Sequence, residues 1–145
     1  MKKPLQVNFY KKKSALRLQI SNHTNYDIGC MFFTFSKAKG RSGAESGYDW
    51  EDNSITVKIS FNDVLSLLSS FTYFENVQLY HEFNNCIKVV DVQFKTDNSG
   101  SVFLSVKETD NDNKKNNNIS VLLTKSEVLG LVIFLRQGLV KMYNW

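Results

Sequence analysis

An 18-residue segment occurs twice in the chain, and this internal repeat limits the folds that the chain can adopt. The segment SITVKISFNDVLSLLSSF, residues 54–71, aligns without a gap with NISVLLTKSEVLGLVIFL, residues 118–135. In both copies an alternating apolar run, typical of a strand, is followed by the apolar spacing of a helix. Because strand and helix keep one register, the sequence predicts two equivalent halves.

Each copy also carries a signal for the start of its helix. Thr124 and Glu127 form the Thr-x-x-Glu pattern of a capping box, in which each side chain accepts a hydrogen bond from the other residue's backbone N–H. Ser60 and Asp63 occupy the corresponding positions in the first copy. We therefore expect the strands to end, and the helices to begin, at these two places.

The rest of the sequence completes each half with three further strands. The length fits a single domain, residues 1–145, with a first repeat over about 5–75 and a second over about 76–145. The predicted fold class is α+β, with two β-β-β-β-α repeats whose antiparallel sheets pack on two helices. A polar hairpin loop is predicted at Thr109–Asn117. The additional strands are expected at Leu5–Tyr10, Ser14–Ser21, Ile28–Lys37, Val77–Phe83, Lys88–Thr96 and Ser101–Glu108.

Positive charge is concentrated at the start of the chain. Residues 1–41 carry nine Lys or Arg and a single acidic residue, whereas the remainder carries nine basic and thirteen acidic residues. Such an asymmetry favours a polyanionic partner. It is equally typical of a lysine-rich edge that keeps a sheet soluble and unpaired. The sequence leaves both interpretations open.

Neither catalysis nor metal binding is indicated. His23 and His81 lie in no metal-spaced cluster, and Cys30 and Cys86 lack the spacing of a zinc site. His81 and Glu82 could form an acid–base pair, but a strand-end histidine is far commoner. We therefore expect a non-enzymatic protein with no catalytic residue, metal or cofactor.

The two cysteines and the apolar runs also indicate in which compartment the protein is expected. Without a signal peptide the two cysteines are expected to be reduced, in a cytoplasmic compartment. No membrane span is expected, because the apolar run 128–135 is too short to cross a bilayer. The Asn- and Lys-rich loops suggest a bacterial, phage or plasmid protein associated with the nucleoid.

The second predicted helix, which follows Thr124, has apolar side chains in nearly every direction. A helix of this kind must be covered all round. The cover could be a second copy of the helix in a symmetric oligomer, or the other helix and the C-terminal tail of the same chain. The first alternative predicts these interface residues: Leu129, Leu131, Ile133, Phe134, Leu135, Leu139 and Met142.

Several short motifs, taken in order, give the chain a family resemblance from Tyr10 to Trp145. Tyr-Lys-Lys-Lys-Ser-Ala-Leu at 10–16 resembles the Tyr-Lys-Gly-Lys-Ala-Ala-Leu motif of Whirly domains, with Lys12 and Ser14 as departures. Tyr-Asp-Trp at 48–50, Ser-Gly at 99–100, Leu-Ser-Val at 104–106 and Leu-Thr-Lys-Ser-Glu at 123–127 resemble the family's later motifs. The closing tryptophan matches as well.

The Whirly resemblance implies a homotetramer that binds single-stranded nucleic acid along its sheets, largely without sequence preference. DNA is favoured over RNA, with a role in replication, recombination or repair; an RNA-binding module and a structural oligomer are the alternatives. Phosphate contacts are expected from Lys11, Lys12, Lys13, Arg17, Lys37, Lys39 and Arg41. Base stacking is expected from Tyr10, Phe33, Phe35, Tyr48 and Trp50. The alternative is that Phe33 or Phe35 packs under a helix and that Trp50 anchors the loop Lys39–Asn53.

Overall fold

Two successive β-β-β-β-α units make up the chain in a computed structural model that describes residues 5–22, 29–40 and 47–143. The predicted fold class is therefore confirmed. The first unit consists of β1 (Leu5–Tyr10), β2 (Ser14–Asn22), β3 (Gly29–Lys37), β4 (Ser54–Ile59) and α1 (Phe61–Tyr73). The second consists of β5 (Val77–Phe83), β6 (Cys86–Phe94), β7 (Val102–Asp110), β8 (Lys115–Leu123) and α2 (Lys125–Tyr143).

Each unit forms its own antiparallel sheet, with the four strands side by side in chain order. We call β1–β4 sheet 1 and β5–β8 sheet 2. The repeat is visible in the pairing, since Ile55 lies opposite Phe35 as Ile119 lies opposite Val106. On each sheet one face is buried, and we call it the inner face; the opposite side is the outer face. This alternation is what period-2 apolar patterning produces in a half-buried sheet.

Both helices begin at the predicted capping boxes. Ser60 Oγ accepts from the Asp63 backbone N–H at 3.1 Å, and the Asp63 carboxylate accepts from the Ser60 N–H at 2.9 Å. Thr124 and Glu127 make the same two hydrogen bonds at 3.3 and 3.0 Å. These bonds satisfy backbone donors that the first helical turn leaves unpaired. The helix-start prediction is confirmed in both repeats.

The predicted loop at Thr109–Asn117 is too long. Strand β7 continues to Asp110 and β8 begins at Lys115, because these two residues still pair across the hairpin. The Asp110 carboxylate accepts from the backbone N–H groups of Asp112 and Asn113 at 3.1 and 3.2 Å. A short side-chain-closed turn therefore replaces most of the predicted loop.

Helix α2 packs on sheet 1 of its own chain, which corrects the prediction for most of its apolar positions. A Cβ atom on Gly138 would lie 2.4 Å from Met31 Cε, so the missing side chain lets the helix approach the sheet closely. The expected interface is wrong for the positions that this packing buries within the chain. They are Leu131, Phe134, Leu135, Leu139 and Met142.

The two repeats hold each other through the acids of their capping boxes. Lys11, just after β1, forms an ion pair and hydrogen bond with Glu127 at the start of α2. The pairing registers make His81 the counterpart of Lys11 in the second repeat. His81 Nε2 lies 2.9 Å from Asp63 Oδ2, without the alignment of a hydrogen bond. The contact is thus repeated across the pseudosymmetric halves.

A second reciprocal contact joins the edge strands. Ser14 Oγ donates to the backbone oxygen of Ser120 at 2.6 Å. Its counterpart in the second repeat, Lys88, donates through Nζ to the backbone oxygen of Thr56, also at 2.6 Å. As a result the inner face of sheet 2, at the end that carries Lys88, adjoins the edge strand of sheet 1.

Candidate nucleic-acid interface

The outer face of sheet 1 presents a continuous polar row across its four strands. Asn8, Arg17, Thr34 and Thr56 lie directly opposite one another in register. Arg17 Nε donates to Asn8 Oδ1 at 3.0 Å, and the hydroxyls of Thr34 and Thr56 are 3.0 Å apart. With neighbouring strands about 4.8 Å apart, the row spans the width of the sheet. It places a fixed guanidinium near one end.

Residues 47–50, which lie between β3 and β4 in the chain, cover part of this outer face. Tyr48 forms a β-bridge with Ala38 just beyond β3, and its hydroxyl donates to the backbone oxygen of Lys11. Ser54 Oγ donates to the backbone oxygen of Trp50 at 2.6 Å. These contacts fix both rings relative to the sheet, so the Tyr-Asp-Trp motif serves to position aromatic side chains.

The rings and the guanidinium form one cluster, the aromatic–cationic patch, made of Tyr10, Arg17, Tyr48 and Trp50. Arg17 Cζ lies 3.9 Å from the centroid of the Trp50 ring, in cation–π contact. The Tyr48 ring centroid lies 5.4 Å from that of Tyr10 and 6.3 Å from that of Trp50. Tyr10 is 57% exposed. The patch thus offers π faces and a positive charge together, the combination that binds stacked bases and phosphates.

The predicted lysines differ in their exposure and in whether their ammonium groups already have a partner. Lys12 and Lys13 are exposed at the turn that joins β1 to β2, beside the patch. Lys11 is half-buried and paired with Glu127, whereas Lys37 Nζ donates to Asn117 Oδ1 at 3.0 Å.

The remaining predicted cations are Lys39 and Arg41. Lys39 is exposed but lines a 350 Å³ surface pocket with Asp49, Glu51 and Asp52, whose carboxylates oppose a phosphate. Arg41 and the closing Trp145 lie outside the described residues. Lys12, Lys13 and Arg17 are therefore the strongest candidates for phosphate contacts.

The stacking prediction is wrong for Phe33 and Phe35. Both rings are 0% exposed, because they point to the inner face of sheet 1 and pack in the core. The outward ring of this strand is Phe32, which is half-buried on the outer face. A strand that carries phenylalanine on both faces does not reveal from its sequence which face is covered.

Sheet 2 differs from sheet 1 in charge at the corresponding place. Its equivalent row is Gln78, Asp91, Ser105 and Ser120, so an aspartate stands where sheet 1 has Arg17. Its outer face therefore carries a negative charge where sheet 1 carries a positive one. The contrast makes sheet 1 the better surface for a polyanion.

Three further residues of the outer face of sheet 1 were not among the predicted site residues. Asn8 holds the guanidinium of Arg17, while Phe32 and Lys58 lie opposite each other in the adjoining row. All three occupy the outward positions of their strands. The strand alternation identified those positions, but only the pairing registers place Asn8 directly opposite Arg17, Phe32 in the neighbouring row and Lys58 farther across the sheet on β4.

The ion pair of Glu127 leads to a stability prediction. Burial alone would raise the pKa of Glu127, but hydrogen bonds from Lys11 and Thr124 outweigh it and hold the pKa below its ordinary value. Replacing Glu127 by Gln should therefore lower the free energy of unfolding at pH 7 by about 1–2 kcal/mol. Denaturant unfolding measures this change.

The effect of Glu127→Gln should depend on pH with a definite sign. A lowered folded-state pKa stabilises the fold above the unfolded pKa, and this stabilisation is lost as the pH falls through the folded value. The difference between wild type and variant should therefore shrink below about pH 4. Glu75→Gln, at an exposed position, is the control. An equal deficit at pH 7 and pH 3 would contradict the assignment.

Within residues 5–22, 29–40 and 47–143, no helix is long and apolar enough to cross a bilayer. Over the same ranges no three His, Cys, Asp or Glu side chains are grouped as metal ligands.

Comparisons with known proteins agree with this architecture. The structure resembles WHY1 from Arabidopsis thaliana, with a TM-score of 0.81 at 17% identity over 100% of this chain and 94% of that one. It also resembles the plant transcriptional regulator PBF-2, with a TM-score of 0.81 at 20% identity over 100% and 85% of the two chains. A guide-RNA-binding protein in complex with its RNA gives 0.63 at 13% identity over 94% and 88%.

Sequence comparison assigns the family. A search of curated proteins gives no match. The family model described as Whirly transcription factor matches residues 3–133, which is most of the chain. The order of strands and helices, the motifs and this match agree, and the chain therefore belongs to the Whirly family.

Proposed function

We propose that this protein binds single-stranded nucleic acid on the outer face of sheet 1, largely without sequence preference and without catalysis. The observation that carries the proposal is the aromatic–cationic patch, in which Arg17 lies 3.9 Å from the Trp50 ring beside the exposed ring of Tyr10. Stacking accepts every base because each has a π face, and the cations neutralise phosphates. On sheet 2 the position equivalent to Arg17 is occupied by Asp91, which supports sheet 1 as the binding surface.

Single-stranded DNA is the proposed partner, and RNA is the second candidate. Family membership supports DNA, because the matching family model is that of a transcription factor. RNA is favoured by the similarity to a protein solved with a guide RNA. On DNA, the proposed role is to protect or organise single strands during replication, recombination or repair in a cytoplasmic, nucleoid-associated setting.

We also propose that the working form is a homo-oligomer, a tetramer, assembled through exposed helix positions. Leu129 and Ile133 are 60% and 53% exposed on α2, and Val140 continues the same side of the helix. Leu65, the repeat counterpart of Leu129, is exposed on the neighbouring helix α1. Together they leave apolar surface on both helices, which a second copy of the chain would cover.

A competition experiment tests the proposed function. Fluorescence anisotropy with a labelled oligo-dT strand, at 50 and 200 mM salt, should show binding that weakens steeply with salt. Unlabelled single-stranded DNA should compete better than duplex DNA of the same length. Matched RNA, run in parallel, decides between the two candidate partners. Salt-insensitive binding, or equal competition by single strand and duplex, would contradict the proposal.

The turn lysines should account for part of the salt dependence. Replacing Lys12 and Lys13 by Ala should reduce the slope of log K against log salt by up to about 1.4, because each lost phosphate contact removes about 0.7 on a single strand. The matched control is Lys114→Ala with Lys115→Ala, two exposed lysines at the β7–β8 turn. A slope that changes equally in both pairs would remove Lys12 and Lys13 from the interface.

A further inference from the structure

A cavity of 590 Å³ lies between the two sheets, at the edge of sheet 1 formed by β4. We call it the inter-sheet cavity. Thr56 and Lys58 line it from the outer face of sheet 1. His81, Glu82, Phe83, Cys86, Lys88 and Glu108 line it from sheet 2. It is separate from the aromatic–cationic patch, which lies over β1 and β2.

The cavity wall arises from a difference between the repeats. In the first repeat the β1–β2 turn follows Lys11 directly, with Lys11 N donating to Ser14 O at 2.9 Å. In the second repeat the β5–β6 hairpin continues beyond the equivalent pair to Phe83 opposite Cys86. The longer hairpin carries Phe83, 78% exposed, beside the cavity. The second repeat therefore has an aromatic wall that the first repeat's turn does not build.

The polar groups in the cavity combine an acceptor and a donor. Lys88 Nζ lies 3.7 Å from Glu108 Oε2 and 2.6 Å from the Thr56 backbone oxygen. Each of the two side chains is about a third exposed, at 31% and 30%. An ammonium has three N–H donors, and the two oxygens of a carboxylate have about four acceptor sites, so Lys88 keeps capacity for a ligand, and so does Glu108, which also accepts from the Cys86 thiol.

This donor–acceptor pair distinguishes among the nucleobases. Guanine presents adjacent N1–H and N2–H donors, which a carboxylate accepts together, next to the O6 acceptor, which a lysine reaches. Adenine and cytosine each present an acceptor nitrogen beside their amino group, which a carboxylate repels. Thymine presents one N–H between two carbonyl oxygens. An exposed ring such as Phe83 supplies the stacking surface that single-strand readers use.

The polar row on sheet 1 leads to this cavity. From Arg17 on β2 the row passes through Thr34 to Thr56, a distance of two strand spacings or about 10 Å. Thr56 lines the cavity, and Lys58 in the next row does as well. A strand that stacks on the aromatic–cationic patch and crosses sheet 1 would therefore bring a neighbouring base to the cavity mouth.

We propose that the inter-sheet cavity holds a guanine base of the bound strand, with Glu108 accepting from N1–H and N2–H and Lys88 donating to O6. This inference rests on the proposed function and deepens it, since it adds a base preference at one position to a surface that otherwise binds any sequence. Stacking on Phe83 completes the site.

The test compares oligo-dT with the same strand carrying one central dG. The wild-type protein should bind the dG strand about tenfold more tightly. Deoxyinosine, which lacks the N2 amine, should lose most of that preference, whereas 7-deaza-dG, which keeps the Watson–Crick edge, should retain it. Glu108→Gln should abolish the preference and leave oligo-dT binding unchanged, which also shows that the variant is folded.

The outcomes separate the two proposals. If oligo-dT does not bind at all, the proposed function fails. If oligo-dT binds but dG gives no advantage, or if Glu108→Gln keeps the advantage, the cavity proposal fails alone. A Phe83→Leu variant should reduce the dG preference without affecting the salt dependence on oligo-dT. A preference for dG that is lost in 7-deaza-dG would place the contact on another edge of the base and overturn the assignment of Glu108.

Discussion

Replacing Trp50 by Ala should weaken binding of single-stranded DNA by about 10-fold to 100-fold. The indole is positioned by the hydrogen bond from Ser54 to its backbone and by the guanidinium of Arg17, 3.9 Å from the ring centroid. Its loss removes a stacking surface, which contributes about 1–3 kcal/mol per base, and the cation–π contact of Arg17, which keeps its hydrogen bond to Asn8. Equilibrium binding to oligo-dT at fixed salt measures the change.

The repeat supplies a matched control for the aromatic–cationic patch. Tyr10 and Tyr80 occupy equivalent positions on sheets 1 and 2 and are 57% and 61% exposed. Tyr10→Ala should weaken oligo-dT binding, whereas Tyr80→Ala should leave it unchanged, because sheet 2 has Asp91 in place of a cation. If Tyr80→Ala costs as much as Tyr10→Ala, the assignment of binding to sheet 1 alone is wrong.

Replacing Leu129 and Ile133 by Glu should convert the protein to a single chain of 16.7 kDa in solution. Two carboxylates within an apolar contact would be buried without partners, which costs several kcal/mol and exceeds what the contact provides. Size-exclusion chromatography with light scattering measures the mass. Both side chains are exposed on the single chain, so the circular dichroism spectrum should be unchanged.

A control distinguishes loss of assembly from loss of folding. Leu131, on the same helix, is 0% exposed and packs within the chain, so Leu131→Glu should unfold the protein itself. The proposed interface predicts folded monomers from the first variant and unfolded chain from the second. Folded assemblies with the wild-type mass in Leu129→Glu with Ile133→Glu would contradict the interface.

The fold could be predicted from the sequence because several local signals agreed. The two copies of the repeat, which are 64 residues apart, aligned strand with strand and capping box with capping box. In the structure Ile55 and Ile119 pair with equivalent neighbours. The capping-box residues fixed the helix starts to within one position. These signals act within a few residues of each other, so they can be read from a single chain.

The site could be predicted only in part, because it depends on contacts between residues that are far apart in the sequence. The stacking prediction failed for Phe33 and Phe35 because β3 is aromatic on both faces, and only the packing of α2 and β8 against sheet 1 determines which face is the core. The charge of Lys11 is engaged by Glu127, 116 positions away. Gly138, which lets α2 approach sheet 1, looks like an ordinary small residue in the sequence. Contacts of this kind leave no periodic pattern.

Ultraviolet cross-linking of bound oligo-dT, followed by mass spectrometry of the linked peptides, tests the central claim most directly. Cross-links are expected at Tyr10, Tyr48 and Trp50 on the outer face of sheet 1. The equivalent face of sheet 2 exposes Tyr80 and Phe103 and serves as the internal reference. Cross-links confined to Tyr80 and Phe103 would contradict the account.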